Sequence, residues 1–124
     1  MAGPLVLLLQ GNRWEHRYQA VTLAVTAAAF GDAVTVALFF DPLRRWAEGR
    51  FDEGAPPTAG LARVAPLGET LQEARRDLGV RVVACDTAVR LAGLDASAVL
   101  PMLDGLESVP ELWRQGRDGR VVVV

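Results

Sequence analysis

Chemistry in this chain falls to very few side chains. It has one cysteine, Cys85, and one histidine, His16. Cys85 ends the apolar run Val80-Arg81-Val82-Val83-Ala84, which follows Gly79, and it precedes Asp86 and Thr87, two residues that favour helix starts. The pattern predicts a strand running into a helix with a thiol at the junction. A thiol attacks as the thiolate, and the unpaired first-turn N–H groups of a helix, here the backbone of Asp86 and Thr87, favour that anion. In an open α/β sheet, ligands and chemistry gather at the carboxyl ends of strands. Two readings stay open at this point. Cys85 is a reactive nucleophile, or it is one of the many free cysteines that simply pack in a core. Asp86 beside it opposes thiolate formation unless its carboxylate faces away.

His16 sits in the polar, turn-rich stretch Gln10–Arg17 after the first apolar run. In a doubly wound sheet this loop can neighbour the one carrying Cys85, and a Cys–His pair there would be an activated thiol. The alternative is a solvated loop histidine. Arg13, with Asn12, Trp14 and Arg17, would make an anion-friendly rim or a merely hydrated turn. One Cys and one His without ligand spacing argue against a metal site, and no cofactor is expected. Gly11 is followed by no second or third glycine, so the dinucleotide and P-loop fingerprints are missing. The same loop lacks the Ser and Thr of a flavodoxin-type phosphate site, and the chain has no serine nucleophile elbow. All thirteen basic residues are arginine, which excludes Schiff-base and P-loop lysine chemistry. Trp46 and Trp113 read as packing or interface residues, Phe39 and Phe40 as core.

The elements that must position Cys85 belong to a chain of 124 residues, the length of a single domain spanning 1–124. Its 51% hydrophobic content and mean hydropathy of +0.21 are high enough to suggest that other subunits cover part of the surface. A net charge of −2, with both signs mixed along the chain, leaves no footprint for nucleic acid. Residues 20–40 carry one charge, Asp32, but Gly31-Asp32 splits them into two shorter pieces, so no membrane span is expected. Met1-Ala2-Gly3-Pro4 lacks the positive region of a signal peptide, and one cysteine cannot form an internal disulfide. A cytoplasmic protein is the expectation.

Leu5–Leu9 reads as a strand buried on both faces, as in parallel sheets. Tyr18–Phe30 reads as an Ala-rich helix with Leu23, Ala27 and Phe30 on its packing face, closed by Gly31. Ala33–Phe40 is the second strand, stopped by Asp41-Pro42; Leu43–Glu48 suits one or two helical turns, and Gly49–Gly60 a long loop that suits a small ligand. Leu67, Leu71, Ala74 and Leu78 stripe a helix over Pro66–Leu78 that Gly79 ends. A helix from Asp86 or Thr87 to about Ala92 follows the third strand. Val99–Leu103 suits a short edge strand. Ser108 and Glu111 form a capping box with Pro110 in the first turn, starting a helix to Gln115. Val121–Val124 is the last strand. Strands alternating with helices imply a three-layer α/β/α sandwich around a mostly parallel, about five-stranded open sheet, flavodoxin-like in class.

The order of these features resembles the DsrE/DsrF-like family of sulfur-relay proteins, which includes the Tus sulfurtransferase subunits. The resemblance rests on the apolar first strand, the Ala-rich helix ending in Gly31-Asp32-Ala33-Val34-Thr35-Val36, Leu78-Gly79-Val80, the strand ending Ala84-Cys85, and Ala92-Gly93-Leu94. Ser108-Val109-Pro110-Glu111-Leu112 before a terminal valine strand completes it. It covers nearly the whole chain in organisation rather than in one unique motif. It implies a DsrE-like fold and a sulfur carrier or sulfurtransferase that holds a persulfide on Cys85 and passes it to a partner, with His16 or Arg13 as helpers. It also implies a homo-oligomer, trimer or hexamer, and a protein sulfur donor and acceptor. Many members carry a second cysteine a few residues on, where this chain has Ala88, so a one-thiol cycle is the form that survives. Not every member is catalytic. The alternatives are a non-catalytic oligomeric binding module with a structural Cys85, and a thiol redox sensor.

Overall fold

The computed structural model describes residues 3–124. Met1 and Ala2, which open the stretch read above as lacking a signal peptide's charged region, lie outside the described residues. Five strands form one sheet: β1 Pro4–Leu9, β2 Ala33–Leu38, β3 Arg81–Ala84, β4 Gly105–Leu106 and β5 Arg120–Val123. Their order is β4-β3-β2-β1-β5, and every neighbouring pair is parallel. The sheet expected to be mostly parallel is wholly so. Helices cover both faces, giving the three-layer α/β/α architecture of flavodoxin-like folds.

The layers are unequal because of this strand order. From β1 to β4 the chain steps one way across the sheet, and right-handed crossovers put those connections on one face. There α1 (Trp14–Ala29), α2 (Phe40–Ala47), α4 (Leu67–Leu78) and α5 (Asp86–Leu91) build the main core. Leu7, Leu9, Val36, Leu38 and Val82 of the strands meet Ala20, Val21, Ala24, Leu71 and Ala74 of the helices. The small alanines let α1 approach the sheet closely. The last connection returns across the sheet with α7 (Val109–Gly116), which covers the other face. Its Leu112 packs on Val6, Ala37 and Val83, the alternate residues of three strands.

Several local expectations shift. α1 starts at Trp14 rather than Tyr18, so His16 is in a first helical turn and not a loop. Its packing stripe is Trp14, Arg17, Ala20, Val21 and Ala24; Phe30, expected on that face, is 84% exposed because the chain turns there, at the helix C-cap. Phe39 is half-buried and Phe40 is exposed rather than core, since α2 begins at Phe40 directly after the strand. Residues 96–102, where a strand was expected near Pro101, form α6 (Ala96–Val99) and a 3-10 turn, with Asp95 accepting from the Ser97 N–H at 3.1 Å. The fourth strand comes later, at Gly105–Leu106. α4, its αL cap at Gly79 (φ +70°), and the Ser108–Glu111 capping box fall where the sequence places them.

The 49–60 segment is no open loop. It contains α3 (Thr58–Leu61) and is tied down from below by Arg17, which is 1% exposed. Arg17 Nε donates to the Phe51 carbonyl at 2.8 Å, Nη2 donates to the Glu53 carbonyl, and the guanidinium lies 5.9 Å from the Phe51 ring. Its charge faces Asp41 at 3.6 Å, and Asp41 also accepts from Arg45 at 2.8 Å. Asp52 of the same segment accepts from the N–H groups of Leu67 and Gly68 and so caps α4 from fifteen residues away.

Candidate functional site

Cys85 lies at the carboxyl end of β3, as its flanking residues require. Ala84 is the last ladder residue, and Cys85 takes extended angles (φ −81°, ψ 137°) as N-cap of α5, its carbonyl accepting the Val89 N–H at 3.0 Å. It is half-buried. On one side it packs against the main core. On the other it lines a groove of about 390 Å³ whose walls are Phe39 and Phe40 after β2, Thr87, Ala88 and Leu91 of α5, and Ser108-Val109-Pro110 at the start of α7.

The groove is where the amino ends of α5 and α7 meet. Two N–H groups at the start of α7 are already served, because Ser108 Oγ accepts the Glu111 N–H at 3.3 Å and Glu111 Oε1 accepts the Ser108 N–H at 3.2 Å. The first-turn N–H groups of Asp86 and Thr87 lie beside the sulfur-bearing residue. α5 has six residues, so these groups act as local dipoles rather than through a long macrodipole. Asp86 does not line the groove. Its carboxylate is exposed and pairs with Arg90 one turn on, at 3.2 Å.

His16 and Arg13 are placed elsewhere. Both belong to the start of α1, after β1, and β2 runs between β1 and β3. Two strand spacings are about 10 Å. His16 Nδ1 accepts the Arg13 N–H at 3.2 Å, an N-terminal cap for α1, and the ring fills the space beside Gly11, where a Cβ would come within 2.2 Å of its Cγ. Arg13 is exposed and faces Glu15 at 3.5 Å. Neither lines the groove.

Two features of the groove escape a sequence reading. Phe40 has φ +53°, a left-handed conformation that is unfavourable for a bulky side chain, and this turns its ring into the groove mouth. The far wall comes from residues 108–110, which only the return of α7 across the sheet brings opposite Cys85. The sequence reads Phe39 and Phe40 together as core, whereas both line the groove, and no sequence signal links Pro110 to Cys85.

Among the described residues no cluster of three or more His, Cys, Asp or Glu is arranged to hold a metal ion, and no helix is long and apolar enough to cross a membrane. No protein-family model matches the chain, and no curated protein matches it.

Proposed function

We propose that the protein carries sulfane sulfur as a persulfide on Cys85 and hands it to a partner protein. The observation that supports this is a single half-buried thiol opening on an apolar groove at the carboxyl edge of a parallel sheet. The Cys85 thiolate attacks the outer sulfur of a donor persulfide. A new S–S bond forms at Cys85, the donor's S–S bond breaks, and the donor leaves as a thiolate. Transfer onward repeats the exchange, with an acceptor thiolate attacking the outer sulfur of Cys85–S–SH and free Cys85 thiolate leaving. No oxidant is needed, and no second cysteine in the chain is required. The apolar walls exclude water from the persulfide and seat an apolar segment of the donor or acceptor. The first-turn N–H groups of Asp86 and Thr87 follow Cys85 directly in the chain and are the backbone donors nearest to it in sequence. His16 and Arg13, which do not line the groove, have no part in this exchange. The resemblance to the DsrE/DsrF-like family adds a cytoplasmic homo-oligomer, trimer or hexamer, to this reading.

The exposed Phe40, Leu91 and Val109 around the same groove favour a second reading, a non-catalytic binding module in which Cys85 is structural. Intact mass after incubation with a sulfane donor separates the two. The carrier gains one sulfur atom, lost on reduction and absent in Cys85→Ser. A thiol that alkylates readily yet takes up sulfur from no persulfide donor overturns the carrier. Formation of a sulfenic acid under peroxide, with no persulfide from any donor, identifies a redox sensor instead.

A further inference from the structure

The two edges of the sheet differ. β4 is two residues long, and its surroundings are fastened by Asp104 and Glu107. β5 is Arg-Val-Val-Val, with a neighbour on one side only among the described residues. Val124 shows which way its main chain faces. The Val124 N–H donates to the Leu8 carbonyl and the Val124 carbonyl accepts the Gln10 N–H, both at 2.9 Å, so both groups point to β1. Strand geometry alternates these directions. Val122 therefore also faces β1, and Val121 and Val123 hold their N–H and C=O groups outward. No proline interrupts the edge, and its one charge is Arg120 at the end.

Each face of this edge has a hollow of mixed polar and apolar lining, with Asp32 and Arg120 in one and Arg117 in the other, rimmed by an exposed aromatic. On the main-core face the hollow runs from Leu23 and Phe30 to Val122; on the α7 face it runs from Trp113 to Val121. Phe30 is 84% and Trp113 is 62% exposed, although each stands beside buried layers.

We infer that β5 pairs antiparallel with β5 of a second copy about a two-fold axis through Val122, joining two sheets into one. Unpaired N–H and C=O groups call for a strand, and this strand is its own complement. The axis sets Val121 opposite Val123 of the other copy, and both have outward groups, so every one of those groups finds a partner. The same axis keeps the two Arg120 side chains at opposite ends of the pairing, where a parallel pairing would bring them together. Phe30 and Trp113 alone expose about 300 Å² per copy, against the roughly 500 Å² per copy that a specific interface requires. The strand and the rims of the two hollows supply the rest.

Proline at position 123 removes an outward donor and leaves the β1 ladder intact. The expected result is an even-numbered assembly by light scattering whose mass halves in Val123→Pro, with thermal unfolding of the subunit otherwise preserved. Val123→Arg, which keeps the backbone donor but crowds the edge with charge, gives the same halving. Val122→Pro strikes the ladder to β1 and lowers the stability of the subunit itself. Amide exchange at Val121 and Val123 slows as protein concentration rises. The pairing is compatible with a hexamer and not with a trimer: a monomer, a trimer or other odd-numbered assembly, or an assembly unchanged by both position-123 variants overturns the inference. Sulfur uptake at Cys85 is read separately, so its failure leaves this test untouched.

Discussion

At the scale of residues, two side chains do most to set this protein's character, and only one was conspicuous. Cys85 stands out in sequence because it is unique and because a strand pattern ends on it. Arg17 does not stand out among thirteen arginines, yet it is buried and holds two carbonyls of the segment above it. Replacing it with methionine keeps the apolar stem and strands the Phe51 and Glu53 carbonyls. A loss of about 3 kcal/mol in urea unfolding is expected, together with new proteolytic nicking within residues 49–57. Lysine cannot reach both carbonyls with one ammonium, so Arg17→Lys should recover little of the loss. His16 shows the opposite case. Its uniqueness marks it as a candidate, but its imidazole is spent capping α1 and filling the space that Gly11 leaves.

At the scale of elements, α7 carries more weight than its eight residues suggest. It is the helix whose Leu112 closes the second core, and its first turn is one wall of the Cys85 groove. The Ser108 cap therefore couples stability to the shape of the site. Ser108→Ala should cost about 1 kcal/mol in chemical denaturation. It should also raise the rate at which Cys85 reacts with a bulky maleimide, since fraying of residues 108–110 opens the groove. This element was legible in the sequence through its Ser-x-x-Glu signature and its proline. Residues 96–102 were not, because Val99-Leu100-Pro101-Met102-Leu103 is apolar without a period that separates strand from helix. There the local cap at Asp95 and the burial of Val99 prevail over β propensity.

At the scale of the whole molecule, two carboxylates tie the β4 edge to the rest. Asp104 accepts from Arg75 of α4 and from the Val82 N–H of β3. Glu107, nearly buried, accepts from Arg81 of β3 and Gln115 of α7. Burial pushes both groups up, but these hydrogen bonds outweigh it and hold both below the ordinary carboxylate range. Their folded-state pKa values thus lie below the unfolded ones, near 4. Their contribution is fully present above that value and is lost as pH falls through the folded values. The urea midpoint should drop between about pH 4 and pH 2, and Asp104→Asn with Glu107→Gln should flatten that drop while lowering stability at neutral pH. A profile identical in wild type and double variant would assign acid sensitivity to other groups.

The sequence by itself determined what local patterns encode. These are the parallel-sheet class, from short apolar runs between amphipathic helices; the ends of α4 and α7, from Gly79 and from the Ser108–Glu111 box; and Cys85 at a strand-to-helix junction. Only the tertiary structure decided what lies beside what. The strand order β4-β3-β2-β1-β5 separates Cys85 from His16 by a full strand, brings residues 108–110 across from the thiol, buries Arg17 and leaves β5 open. The physical reason is that propensity and capping act over one or two turns of chain. Strand order, by contrast, is set by which crossovers bury the most apolar surface over the whole sheet, and no single stretch of residues carries that sum.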